Sequence, residues 1–516
     1  MSEEQEAREW QAMTKHIQEA FEEMEPVKKL LDAGVPKAAL DKLTYMLNCK
    51  ELAEEDRWIA FLHKSMCYRA MLEKENSLAC MLEAVRSIVG QPLLTQKKLY
   101  GAMLFGLYEM DLPDDEIKRL SFGFDELNRQ AIWYRHDRAV HAKHRKIRIG
   151  YIANRFNENV VSMFSIQLFC VYDRERFEVY CYSYQDIEDS VTAMIRDNVN
   201  KYYVASHGSH TPPDMVARQI YEDGIDILFD LIGHTENSQG LMAAAFKPAP
   251  VQITGIGFMG TSGLRAMDYF LGDPYCNPPG LNENDFRERI LRLPRSHFCY
   301  NPRALQAEGN YRPKQPGEEI LLASFCNVRK LTPHMLEVWA EILRRLPQAK
   351  LLLRSSAKFN NYVLRKIKGL FRKAGVTADR LLMEQPGQDY LSRYYDVDLL
   401  LDTYPYVGGG TTCDALYMGV PVISRYGRRH GTRFGYSLLM NIGLEELTAA
   451  TEEEYIEKAV ALAGDTEILA ALHRQIPQIF RQSPVMDVAG YMRDIQNAYE
   501  SIWQEWLSGS GQDNQK

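Results

Sequence analysis

The sequence predicts an α/β protein in which two doubly wound domains follow one another behind an all-helical N-terminal module. Three observations carry this expectation. From about Ile17 to Leu127 apolar residues recur at helical spacing with little glycine or proline punctuation. After a basic stretch, Arg135 to Arg148, the chain changes abruptly to short apolar or β-branched runs alternating with amphipathic helices. A polar segment from Tyr300 to Glu318, carrying Pro302, Pro313 and Pro316, divides that alternation in two. Strands alternating with helices build a parallel sheet covered on both faces, and 516 residues are too many for one hydrophobic core.

In the module, AGVPKAALDKLTYML, EEDRWIAFLHKSMCYRAMLEK, NSLACMLEAVRSIV and KLYGAMLFGLYEM read as antiparallel helix pairs of a tetratricopeptide-like stack with an uneven period. The module is assigned to 1–134 and a solvated basic linker to 135–146. The first α/β series fills 147–300: IRIGYIA (147–153), a helix near 160–173, FEVYCYSY (177–184), a helix near 190–198, YYVA, a helix from Pro213 to Glu222, IDILFDL (225–231), VQITGIGF (251–258) and YFLGD (269–273). A connection at 301–318 leads to the second series at 319–480. Its elements are ILLASFC (320–326), helix 333–346, KLLLRS, helix 360–374, RLLMEQ, helix 388–396, DLLLDT, helix 412–418, PVISR, helix 433–441 and a helix near 452–463. A C-terminal helix within 481–508 and a disordered tail at 509–516 complete the chain.

Composition narrows the function classes. Apolar residues make up 46% and charged residues 25%, the balance of an ordinary globular protein. The net charge of −8, with a single short basic stretch, disfavours nucleic acid as a partner. Nine cysteines with no CxxC pair suggest small buried side chains and no disulfide framework. The start MSEEQEAREWQ is acidic and no apolar run approaches the roughly 20 residues of a membrane span, so the expected location is the cytoplasm.

Ligands of open parallel sheets bind beyond the carboxyl ends of the strands, and the unusual motifs lie there. DTYPYVGGGTTCDALYMG, Asp402 to Gly419, runs from a buried strand through Gly408, Gly409 and Gly410 into a helix. Glycines admit a ligand close to the backbone, and the helix start offers unpaired N–H groups and the positive dipole end, a site for a diphosphate. Thr411 and Thr412 add hydroxyls, and Asp414 either accepts from a ribose hydroxyl or caps the helix. The bland reading is a tight turn with a threonine cap. In FCNVRKLTPHMLEVW, Lys330 stands before a helix, where an ammonium can stabilise a departing diphosphate or simply be solvated. His234 in DLIGHTENSQG follows a strand of the first domain, where it either orients substrate and moves a proton or is structural. Gly260 to Gly263, GTSG, with the preceding GxGF, reads as a second glycine-rich lip of the same crevice. Asp396-Val397-Asp398 resembles a metal-holding DxD but straddles an element boundary, so no metal is expected.

These motifs together resemble the nucleotide-sugar-dependent protein glycosyltransferases that include the protein O-linked N-acetylglucosamine transferases and the plant Spindly proteins, glycosyltransferase family 41. The resemblance covers about 145 to 505, through IRIGYIA, FEVYCYS, GHT with KPAPVQ and GTSG, F-x-N-x-x-K, LLLDTYP with GGGTTCDALYMGVPV, and GTRFGYSLL. It implies two Rossmann-like domains in the arrangement called GT-B, behind a helical repeat region, and metal-independent inverting transfer with no cofactor beyond the UDP-sugar. Residue by residue it places Lys330 on the donor diphosphate and Asn327 where the family has Gln or Asn. Arg393 falls near the uridine, Thr411, Thr412 and Asp414 in the phosphate and ribose segment, and His234 at the GHT histidine. The chain departs from the pattern where NRFNEN puts Asn159 at the place of a histidine that positions sugar or acceptor. Tyr390 stands for a histidine beside the uracil, and Gly409 or Gly410 for another near the phosphate loop. The inter-domain insertion of the animal enzymes is absent, as in a compact bacterial form.

The expected function is therefore an inverting, metal-independent transferase moving a sugar, N-acetylglucosamine first, from a UDP-sugar to Ser or Thr of a protein such as flagellin. The catalytic pair is Lys330 with His234 as base, a water relay or a donor phosphate oxygen being the alternative, and Asn159, Gly260 and Thr261 lie on the acceptor side. The helical module docks the acceptor or mediates self-association. Three other readings stay open: an N-linked glucosyltransferase acting on Asn, a UDP-sugar epimerase, and a non-catalytic scaffold with a vestigial donor site.

Overall fold

The computed structural model describes residues 15, 17–49, 52–302, 310–385, 387 and 390–509. Of the expected tail at 509–516 only Gly509 is among them; residues 303–309 of the connection and Gln388 and Asp389 also lie outside.

The module comprises a helical stretch over 17–23, α1 (Glu25–Asp32), α2 (Pro36–Asn48), α3 (Arg57–Ala70), α4 (Lys74–Ser87), α5 (Leu93–Leu107) and α6 (Asp114–Glu126). Consecutive helices pack along one another and bury Trp58, Ile59, Ala84, Leu104, Leu107 and Phe124 at their seams. The expected solvated linker is instead fastened to its surroundings. Just before it Tyr134 N donates to Phe246 O at 3.0 Å, and within it His136 Nε2 donates to Lys247 O at 2.8 Å and Arg138 Nε to Trp506 O at 2.9 Å. A one-turn helix, α7 (Arg138–His141), lies within it.

The first α/β domain holds β1 (Ile147–Ala153), α8 (Ser162–Cys170), β2 (Phe177–Ser183), α9 (Ser190–Asn198), β3 (Lys201–Val204), α10 (Pro213–Glu222), β4 (Ile227–Asp230), α11 (Gln239–Ala244), β5 (Val251–Thr254), β6 (Tyr269–Gly272) and β7 (Arg289–Arg292). Its seven strands run in the order β3-β2-β1-β4-β5-β6-β7, with every pair parallel. The two-residue period of a strand sorts β1 between two cores. Ile152 joins the core shared with the module, while Ile149, Tyr151 and Ala153 join one completed by Tyr491, Ile495, Tyr499 and Trp503 from the end of the chain. VQITGIGF is a strand only to Thr254, because Gly255 and Ile256 take positive φ.

The second domain holds β8 (Ile320–Phe325), α12 (Pro333–Arg345), β9 (Ala349–Arg354), α13 (Asn361–Lys373), β10 (Leu381–Glu384), β11 (Leu399–Leu401), α14 (Gly410–Tyr417), β12 (Val422–Arg425), α15 (Phe434–Asn441), β13 (Thr448–Ala449), α16 (Glu452–Gly464) and α17 (Thr466–Arg481), followed by α18 (Val488–Ser508). Its sheet runs β10-β9-β8-β11-β12-β13, again all parallel. The described part of the expected helix 388–396 is a 3-10 turn, Ser392–Asp396. Helix α17, which sequence reading passes over, carries Pro477 in its interior.

The lobes are stitched together. Ser437 Oγ donates to Asp273 at 2.8 Å, Arg433 Nε to Tyr275 O at 2.6 Å, and His430 Nδ1 lies 2.7 Å from Asn277 Oδ1. The module bridges both lobes from outside: Arg265 pairs with Asp125 at 2.6 Å, Arg428 with Asp114 at 2.9 Å, and Asn360 Nδ2 donates to Ala70 O at 2.7 Å.

Candidate active site

The strand-end loops of the second domain bring Lys330 and the glycine-rich segment face to face. After β8 the chain turns through a short 3-10 turn, Val328–Lys330, whose start Asn327 caps by accepting from Arg329 N at 3.0 Å. Thr332 Oγ1 accepts from Met335 N at 3.0 Å and starts α12, a cap worth about 1 kcal/mol. This geometry sends the half-buried Lys330 side chain toward the loop after β11. Its Nζ donates to Val407 O at 2.9 Å and lies 4.0 Å from the centre of the Tyr406 ring.

Asp402, at the end of β11, organises the opposite wall. One carboxylate oxygen accepts from Thr403 N at 2.8 Å and Gly408 N at 2.7 Å, the other from Ser424 Oγ at 2.7 Å. Burial lowers the Lys330 pKa, opposed by the nearby Asp402 charge, and burial raises that of Asp402, opposed by the Ser424 bond and then by Lys330. Each charge offsets part of the burial penalty on the other. Thr411 and Thr412 sit in the first turn of α14, and their hydroxyls point at Gly408: a Cβ built there would lie 2.5 Å from Thr412 Oγ1 and 2.9 Å from Thr411 Oγ1. Thr412 Oγ1 is buried with no hydrogen-bond partner among the described residues. Orphaned buried hydroxyls are uncommon and point to a missing acceptor or donor. The start of α14 faces the first domain, since a Cβ at Gly410 would lie 3.4 Å from Val160, whereas Gly409 has only Phe434 near it, at 3.9 Å.

Other residues singled out in the sequence are committed to the scaffold. Asp414 is buried and accepts from Tyr300 OH at 2.6 Å, so the end of the first domain pins α14. Arg393 is held by Glu384 at 2.9 Å and Asp396 at 2.6 Å. Tyr390 hydrogen-bonds Tyr394 at 3.0 Å, and its carbonyl accepts from Arg354 at 2.9 Å. Asp398 accepts from Leu321 N and Tyr311 OH, so the two carboxylates of the DxD-like run serve different partners. Asn159 closes its own loop: Oδ1 accepts from Val161 N at 2.7 Å and Ser162 N at 3.1 Å, and Nδ2 donates to Asn157 O at 2.9 Å.

His234 and the GTSG lip, expected on the crevice, are covered by the helical module. His234 is 1% exposed. Its Nε2 donates to Ser262 O at 2.9 Å, which leaves Nδ1 to accept from Ser238 Oγ at 2.8 Å. The ring lies edge-on to Phe124 of the module and to Phe258, so no ring nitrogen is open to take a proton from an acceptor. Gly260 packs under Tyr108 of the module, and Thr261 and Ser262 bond Glu288.

Burial lowers the His234 pKa to about 3, and that of His473 to about 4. A histidine that is harder to protonate in the fold than in the unfolded chain gives stability that is complete above about pH 6.5 and lost as pH falls through the window down to the folded pKa. The slope is up to about 1.4 kcal/mol per pH unit for each such group. Unfolding midpoints between pH 7 and 4 should fall, and His234→Gln should flatten the descent by one proton's worth. An unchanged slope in the variant would show that His234 carries no such penalty.

Sequence reading missed Asp402, Arg354, Tyr406 and Glu109. The first two end strands in DLLLDT and KLLLR, positions the strand-end rule marks. Glu109 has no local signal. It comes from the module to pair with Arg329 at 3.1 Å, beside the buried Lys74, whose Nζ donates to Glu109 O at 2.7 Å.

Comparison with known proteins places this geometry. The family model Glycosyl transferase family 41 matches residues 126–312 and 300–495. The chain is 33% identical over 369 residues to the probable UDP-N-acetylglucosamine–peptide N-acetylglucosaminyltransferase SPINDLY of Solanum lycopersicum, covering 71% of this chain and 39% of that protein. It is 28% identical over 382 residues to the protein named SEC of Arabidopsis thaliana, covering 71% and 38%. The chain thus spans less than half the length of these relatives. Among solved structures, the O-GlcNAc transferase of Thermobaculum terrenum, in a lysine-to-methionine mutant form, superposes with a TM-score of 0.81 at 27% identity over 93% of this chain and 90% of that one.

Proposed function

The chain belongs to glycosyltransferase family 41, and from that premise we propose that it transfers N-acetylglucosamine from UDP-N-acetylglucosamine to Ser or Thr hydroxyls of a protein acceptor in the cytoplasm. The observation that carries this reading is the convergence of the Lys330 ammonium, the start of α14 and the unpartnered Thr412 hydroxyl on one small space. Cation, N–H groups and hydroxyls around a cradle left open at Gly409 suit a diphosphate. The sugar identity follows the names of the relatives.

The proposed reaction is a single in-line displacement with inversion. The acceptor oxygen bonds to the anomeric carbon as the bond to the UDP oxygen breaks, its electron pair leaving with the diphosphate. Negative charge grows on that diphosphate, and Lys330 together with the α14 N–H groups stabilises it more in the transition state than in the ground state. No metal is needed for this step. With His234 engaged at both nitrogens, the acceptor proton passes to a donor phosphate oxygen. The module, through α5 and Glu109, forms the rim from which a protein acceptor, flagellin among those to try, would enter.

The test is intact-protein mass spectrometry of acceptor, enzyme and each of several UDP-sugars, with a chelator present. A gain of one N-acetylhexosamine from UDP-N-acetylglucosamine alone is the expected result. Gain of another sugar would replace the donor assignment, epimerised free nucleotide would replace the reaction, and transfer blocked by the chelator while the protein stays folded would overturn the metal-independent mechanism.

A further inference from the structure

The linker that was expected to be solvated gathers three histidines in nine residues, His136, His141 and His144, against the buried carboxylate of Asp226 just before β4. His141 Nδ1 lies 2.6 Å from Asp226 Oδ1, and His144 Nδ1 lies 3.0 Å from both carboxylate oxygens. The three ligating groups lie within 4.8 Å of one another. Asp226 Oδ2 is further oriented by Arg148 N at 2.8 Å. The His136 ring lies 5.6 Å from the His141 ring. His136 Nε2 donates to Lys247 O, so Nδ1 carries a lone pair, and that buried atom has no partner among the described residues.

We propose that His141, His144 and Asp226 form a structural divalent-metal site, with Zn²⁺ as the fitting ion and His136 Nδ1, which lies outside that trio, turning in as the fourth donor. Imidazole nitrogens with a carboxylate are the ligand set zinc prefers among oxygen and nitrogen donors. Zinc bonds of about 2.0–2.2 Å at tetrahedral angles set ligand atoms roughly 3.3–3.5 Å apart, so each histidine–carboxylate pair, now at 2.6 or 3.0 Å, needs to open by less than about 1 Å. In the hydrogen-bonded form each Nδ1–H of His141 and His144 donates to Asp226. Metal binding leaves those nitrogens deprotonated as neutral Nε2–H tautomers, while the carboxylate, already ionised, keeps its Arg148 N–H bond and needs no further proton exchange. His144, 18% exposed at its side chain, gives the ion a way in.

The site joins three parts of the chain. The linker supplies the histidines, the first sheet supplies Asp226, and Trp503 and Trp506 of α18 lie edge-on to His141 at 5.9 and 5.6 Å. It lies apart from the Lys330 cradle, so its role is to staple the linker and α18 to the first domain.

The experiment uses tag-free, chelator-stripped full chain titrated with ZnCl₂ by calorimetry and CoCl₂ by visible absorption, with melting curves at each step. One equivalent per chain, a tetrahedral Co²⁺ spectrum and a rise in melting temperature are expected, with His144→Ala and His136→Ala each weakening affinity 10-fold or more. Both variants alter partly exposed residues, and their melting curves without metal show whether they fold. Stoichiometric binding unchanged in both variants would place the ion elsewhere, and no binding at one equivalent would leave an imidazole–carboxylate tie only; either overturns the site. A chelator that lowers the melting temperature but spares sugar transfer separates this site from the metal-independent reaction.

Discussion

Lys330→Met is expected to lower the rate of sugar transfer about 10²–10³-fold, the loss seen when one preorganised charge-stabilising group is removed, with the fold intact. Methionine keeps an unbranched apolar stem of similar length and removes the ammonium, with its contacts to the Tyr406 ring and Val407 O. Asp402 retains all three of its hydrogen bonds, to Thr403 N, Gly408 N and Ser424, so no carboxylate is stranded without partners. The melting temperature should therefore shift by a few degrees at most. Single-turnover transfer and UDP binding, measured on the same preparation, separate the possibilities. If charge on the leaving diphosphate is what Lys330 stabilises, the chemical step slows far more than the affinity for UDP falls. A rate within fivefold of wild type would remove Lys330 from the mechanism.

Gly408→Ala is the second substitution expected to act strongly, and it acts through space rather than charge. Gly408 is not among the positive-φ glycines, so alanine is tolerated by the backbone. Its methyl would stand 2.5 Å from Thr412 Oγ1, 2.9 Å from Thr411 Oγ1 and 3.1 Å from Asp402 Oδ1, in the space toward which both hydroxyls are aimed. The threonines can rotate away, but in doing so they give up the cradle. Affinity for UDP should fall about 10²-fold, some 2.7 kcal/mol, while the circular dichroism spectrum stays unchanged. Gly409→Ala, with nothing nearer than 3.9 Å, should be much milder. Equal affinities for the two variants would show that the diphosphate lies elsewhere.

What could be read in the sequence follows from how local each signal is. The alternation of strand and helix, the order of both α/β series and the pairing of Lys330 with the Gly408–Thr412 loop depend on neighbouring residues and on the strand-end rule. The structure bears out the fold class and brings these residues together. His234, Gly260 and Thr261 also follow strands of the first domain, yet they are covered by Phe124 and Tyr108 of the module. Which strand ends are open depends on a packing contact more than a hundred residues away, which no local pattern reports. Glu109 is invisible for the same reason. The basic linker misled by composition: lysines and arginines suggested solvent, while the three histidines among them dock on the first sheet. α17 carries Pro477, a residue disfavoured inside helices, and accommodates it.

The last helix has a consequence for how the molecule comes into being. Tyr491, Met492, Ile495, Tyr499, Ile502 and Trp503 complete one face of the first sheet, and Arg295 reaches forward to Asp487 and Asp494. On a ribosome, the strands of residues 147–292 emerge long before the segment that covers them. During the synthesis of nearly two hundred further residues, that face must wait uncovered or be held by a chaperone. The order of translation therefore differs from the order in which the cores can close, and the second lobe is free to finish first.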